Sequence, residues 1–129
     1  MKRGVCITII VVFLALVCVL EQILVSVTLD NLEQKTQALI KVVYEYENIN
    51  NNDILIKTNE LNSFWEEHEN LLCFFINHKD MQEMGTELKK MQTYIETNNS
   101  DEYLTSLNLV IYYTDTFNHI MGLSLQNLI

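Results

Sequence analysis

The sequence predicts an all-α protein, in which an N-terminal transmembrane helix continues into an extracytoplasmic bundle of about four helices. Three observations carry that expectation. An apolar run extends from Val5 to Leu29, with Glu21 as its only charged residue. The 129 residues include no proline and three glycines, Gly4, Gly85 and Gly122, too few turn-formers for an all-β domain. Beyond the run, apolar residues recur at spacings of three and four, the stripe of amphipathic helices.

A hydrocarbon core about 30 Å thick takes roughly 20 apolar residues in helix. The uncharged stretch from Val5 to Leu20 is slightly short, but Lys2 and Arg3 can snorkel at one end. At the other end Glu21 suits the headgroup region while the helix continues past it. A cleaved secretory signal would end in a small-x-small site. Leu16 to Gln22 offers none, and Val17 stands before Cys18 where a lipoprotein signal needs a small residue. A retained anchor is therefore expected, with the basic amino-terminal end inside and the carboxyl-terminal domain outside. The chain divides into a short cytoplasmic end (1–4), an anchor with its juxtamembrane turn (5–29) and a bundle domain (30–129).

The formal net charge is −9, and Lys2 and Arg3 precede the anchor, so the bundle is more acidic still. Nucleic-acid phosphates and anionic headgroups repel such a domain. Cys6 and Cys18 fall in the membrane stretch, which leaves Cys73 without a partner for an internal disulfide. In Leu-Leu-Cys-Phe-Phe-Ile it is expected to pack as a small hydrophobe.

From the membrane outward, Val25, Leu29, Leu32, Thr36, Leu39, Val43 and Tyr46 form the first stripe. No residue between Glu21 and Tyr46 breaks the helix, and Asn50 to Asp53 suits a turn and an N-cap. The second helix is expected from about Asp53 to Asn77, with Ile54, Leu61, Trp65, His68, Leu72 and Phe75 on one face. Phe64, Leu71, Phe74 and Ile76 widen that face, which implies burial against more than one neighbour. Asp80 with Glu83 reads as the capping box of a third helix, whose seam is Met81, Met84, Leu88, Met91 and Ile95. Gly85 costs this helix about 1 kcal/mol relative to alanine, a cost that close helix contact would explain. Asn99 and Glu102 cap a fourth helix carrying Tyr103, Leu104, Leu107, Val110, Ile111, Phe117 and Ile120. It is expected to stop near Gly122, a left-handed C-cap candidate. Leu123, Leu125, Leu128 and Ile129 then form an extended apolar tail, expected to dock beside the end of the second helix.

Several of these segments together resemble a known family. They are Trp65, the Phe-Ile-Asn-His ending at His78, Leu-x-x-Met-x-x-Tyr-Ile-Glu from Leu88 to Glu96, and the terminal Leu-Ser-Leu-Gln-Asn-Leu-Ile. The chain resembles, over nearly its whole length, small membrane-anchored helical proteins of unknown function found mainly in spore-forming Gram-positive bacteria. Asn77 stands where that family usually carries aspartate, and Leu72 where a second tryptophan is common. The resemblance implies no activity, and the missing aspartate weakens any Asp-His chemistry. It does imply a membrane-protein partner.

No catalytic residue, metal-ligand set or cofactor is expected. Glu66, Glu67 and Glu69 diverge around a helix from His68, no His-Glu-x-x-His occurs, and Cys73 lies off the face of His68. No nucleophile elbow or glycine-rich phosphate loop is present. The candidate structural or partner-contact residues are Trp65, His68, Asn77, His78, Leu123, Leu125 and Leu128. Trp65 reads as core, and His68 as a boundary residue bonded to a neighbouring helix. His78 reads as a cap on the carbonyl end of the second helix, or as a partner contact. The expected role is a binding or accessory module for another membrane or envelope protein, not an enzyme. The alternatives are a self-assembling structural subunit and a small sensor with an apolar ligand between its helices.

Overall fold

The structure is a computed structural model that describes the backbone from Met1 to Leu128 and side chains as far as Met121. Four helices account for nearly all of it: α1 (Lys2–Glu45), α2 (Asn52–Cys73), α3 (His78–Glu96) and α4 (Ser100–Leu128). No strand occurs among the described residues. Each helix packs on its sequence neighbours and α4 closes on α1, with no close backbone approach between α1 and α3 or between α2 and α4 among the described residues. Joined by short turns, the helices form an up-and-down four-helix ring.

The 44 residues of α1 make a rod of about 66 Å at 1.5 Å per residue. In its first half, as far as Leu24, the large apolar side chains are exposed except Val17, which like Gln22 is half-buried. It is long and apolar enough to cross a membrane, and none of its most apolar window is buried. At Val25 the same helix becomes a bundle member. Val25, Leu29, Leu32, Thr36, Leu39 and Val43 are buried on the expected stripe. Tyr46 is not, because it is the C-cap and its hydroxyl donates to Asp53 Oδ2 at 2.8 Å.

Helix α2 starts at an N-cap, Asn51, whose Oδ1 accepts from the Ile54 amide at 2.9 Å. It ends at Cys73, four residues short of the expected Asn77. The reason is the next cap. Asn77 has non-helical backbone angles, and its side chain accepts from the Lys79 amide at 2.8 Å, so it opens α3. Asp80 therefore lies within the first turn of α3 and the expected capping box is not the start signal. Shortening α2 takes Phe74 out of its stripe and leaves the ring 84% exposed. Cys73 is exposed too rather than packed as a small hydrophobe.

The third seam is buried as predicted, from Met81 to Ile95. Asn98 then takes a left-handed conformation, φ 52°, which asparagine tolerates better than most residues. Its Oδ1 accepts from the Ile49 amide at 3.2 Å and its Nδ2 donates to Asn48 Oδ1 at 3.1 Å, tying two turns together around the buried Ile49. Asn99 caps α4 through the Glu102 amide at 3.3 Å, as expected. Helix α4 does not stop at Gly122 but runs to Leu128. A lone glycine with no proline after it costs about 1 kcal/mol and is not by itself a stop. Whether Leu123, Leu125 and Leu128 dock lies outside the described side chains.

The threonines inside the ring are satisfied locally, whereas Gln22 Oε1 on α1 is buried without a hydrogen-bond partner. Thr28, Thr36, Thr58 and Thr114 each return a hydroxyl hydrogen bond to the carbonyl four residues back, the usual solution for a helical threonine. Thr58 on α2 also meets the Tyr103 hydroxyl of α4 at 2.5 Å, a polar link across the ring interior. Burial pushes the Tyr103 phenol up to about 12, with the Thr58 bond acting in the opposite direction. Because this pKa is raised, the native state retains a proton that the unfolded chain loses above pH 10. The resulting stability is fully present below pH 10 and is lost as pH rises toward 12. Two pH units amount to about 3 kcal/mol. Tyr103→Phe should cost about 1 kcal/mol at pH 8 and flatten the fall between pH 10 and 12. Urea midpoints of the full chain in micelles, compared between the two proteins across that range, check this.

Candidate functional site

The antiparallel ring fixes which residues share a level. Lys35 Nζ of α1 stands 5.3 Å from the Phe64 ring of α2. Ten residues on toward the anchor, Val25 is level with Phe74. On the other side, the Ser106 hydroxyl donates to Glu87 Oε2 at 3.0 Å and the Tyr113 hydroxyl to Glu83 Oε2 at 2.9 Å. The latter bond is the main cause of a raised Tyr113 pKa. Near the anchor, Asn118 Nδ2 donates to Asp30 Oδ1 at 2.8 Å, and its Oδ1 accepts from Ser26 Oγ at 3.4 Å. Leu24 to Ser26, the α2–α3 turn and Asn118 to Met121 thus form one end of the bundle, the end from which the anchor leaves.

This end contains Asn77 and His78, and α4 runs past it to Leu128, ten residues beyond Asn118. Asn77 is occupied as the cap of α3. His78 is the first residue of α3, exposed, with Nε2 3.2 Å from Gln82 Nε2. It does not cap α2, because Leu71 and Leu72 carbonyls are already taken by the amides of Phe74, Phe75 and Ile76. Phe74 and Ile120 also belong here. The expected stripes placed both inside, and Asn77 was the signal that could have released Phe74.

Trp65 and His68 lie farther from the anchor, about 13 Å and 9 Å back along α2 from Phe74, and they do not meet. The His68 ring stacks on Phe64 with centroids 4.2 Å apart, and Nδ1 donates to the Phe64 carbonyl at 2.8 Å. That bond is within α2, not to a neighbouring helix as expected. Trp65 is 4% exposed and faces α3, where a Cβ on Gly85 would come within 3.3 Å of Trp65 Nε1. Close approach is therefore what the glycine permits. The open side of this contact is a cleft of about 520 Å³ edged by Glu66, Glu69, Gln82 and Lys89. Among the described residues, no group of three or more His, Cys, Asp or Glu is placed to hold a metal ion.

The profile of a domain of unknown function, DUF4363, matches residues 22–128. The chain belongs to this family. No curated protein and no solved structure matches the chain. The DUF4363 match begins at Gln22, just after the uncharged apolar stretch, so it takes in the whole ring and little of the anchor. The Trp65–Gly85 contact and the anchor-proximal turn are both inside the DUF4363 region. Gly85→Leu should destabilise the protein by about 1–3 kcal/mol through overpacking, although leucine is the better helix former by nearly 1 kcal/mol. Trp65 is the sole tryptophan, so the same variant should shift the emission maximum to longer wavelength. Chemical denaturation followed by fluorescence measures both.

Proposed function

We propose that this protein is a membrane-anchored helical module that docks on another membrane or envelope protein, with its amino terminus inside and its bundle outside. The observation that supports this reading is α1, one helix with an exposed apolar half and a buried-stripe half. Leaving the thirteen exposed large apolar side chains between Val5 and Leu24 in water would cost more than a domain's stability margin, at about 25 cal/mol per Å². A bilayer removes that cost. Lys2 and Arg3 before the span favour an inside amino terminus. On the bundle, Tyr44, Ile56 and Tyr112 are large and exposed, and tyrosine is enriched where proteins dock.

The sensor alternative draws little support from the methionines, since Met81, Met84 and Met91 fill the core with almost no exposed surface. Self-assembly is the competing outcome of a single experiment. The full chain, tagged at its carboxyl end, should resist carbonate washing of membranes. After gentle solubilisation it should elute in a stoichiometric complex with a different membrane protein. A complex containing only this chain would replace docking with self-assembly, and release by carbonate would remove the anchor.

A further inference from the structure

We infer that the anchor-proximal end of the bundle rests on the bilayer, with Phe74 inserted at the lipid–water interface. The inference rests on the membrane anchoring proposed above and adds a second contact with the same bilayer.

Phe74 is the most exposed large hydrophobic side chain of the bundle among the described residues, at 84%. It is not on a loose loop. Phe75 is half-buried and Ile76 buried on either side of the turn's bonds to Leu72 O, both 3.0 Å, and Asn77 caps α3 immediately after. The turn is pinned from below and presents one ring outward.

The direction it faces follows from the helix register. Phe74 is level with Val25, and the uncharged run ends at Leu20, so about 8 Å of helix separates the two levels. The polar zone on each side of the hydrocarbon core is about 5–8 Å deep. The Phe74 level therefore meets the inner edge of water, within side-chain reach of the interface. Two other elements carry exposed apolar groups to the same level: Ile23 and Leu24 on α1, and Ile120 on α4, 52% exposed. Asn118 holds Ile120 there through Asp30 and Ser26. Charge does not call for anionic lipid, since His78 and Lys79 are followed at once by Asp80. The occupant of this surface is the interfacial layer of a zwitterionic bilayer, into which α1 itself passes.

The test uses the full chain carrying Phe74→Trp and Trp65→Phe, which leaves one tryptophan, in phosphatidylcholine vesicles with brominated acyl chains. Flotation with the vesicles reports the anchor independently. The expected result is emission at short wavelength with at least half the intensity quenched by bromine. A control with Tyr44→Trp and Trp65→Phe, at the far end of the bundle, should stay unquenched. Floating vesicles with an unquenched Trp at position 74 would overturn the inference and leave the anchor standing. A chain that does not float would remove both. A bimane probe on Cys73, with Cys6→Ser and Cys18→Ser, repeats the measurement with the Trp65 core intact, and an unquenched probe there overturns the inference equally.

Discussion

Everything in this molecule hangs on the continuity of α1 through Glu21 to Val25, where one helix passes from an exposed apolar half, long enough to cross a membrane, to a half with a single buried stripe. In hydrocarbon every backbone N–H and C=O must be bonded within the segment; in the bundle the same bonds are kept but the side chains need only one apolar stripe. The switch is written in side chains alone. Before Leu20 apolar groups cover the whole circumference; after Val25 they shrink to a seven-residue rhythm, and the backbone does not register the change. A rigid junction follows, so the position of the ring relative to the anchor is set by helix geometry rather than by a linker.

The remaining helices build on that seam. Helices α2 and α4 flank α1, and α3 closes the ring from the far side. The link between Thr58 and Tyr103 joins α2 to α4 across the interior, while the asparagine pair at Asn48 and Asn98 clasps the end away from the anchor. Polar cross-links of this kind discriminate between helix registers, since an apolar core alone tolerates sliding. The opposite end is fastened mainly by Asn118, and it is there that apolar groups remain uncovered.

The stripes of α1 and α3 could be read from the sequence almost residue by residue, because each helix buries a single narrow face. Helix α2 was harder. Leu71 to Ile76 is apolar at nearly every position, so periodicity does not mark where the helix ends, and Asn77 and Asp80 are both competent caps three residues apart. A helix α2 that ran on to Asn77, with Asp80 opening α3, would carry Phe74 into the stripe. The Gly85 approach to Trp65 was anticipated in kind, but its partner depended on which α2 residue faces α3. The Asn118 bridge had no sequence signal, since an asparagine between Phe117 and Ile120 resembles an ordinary boundary residue. Nothing in DUF4363 membership adds an activity to these positions, so the surface itself carries the functional reading.

Hydrogen exchange of the full chain in lipid nanodiscs tests the central claim most directly. Amides from Glu21 to Asp30 join the exposed apolar half of α1 to its buried stripe, and only an unbroken helix protects all of them. The structure predicts slow exchange throughout this segment, without a gap, at rates close to those of Leu32 to Val43. Fast exchange at two or more consecutive amides between Glu21 and Val25 would show a flexible joint, and the anchor and the ring would then be separate bodies.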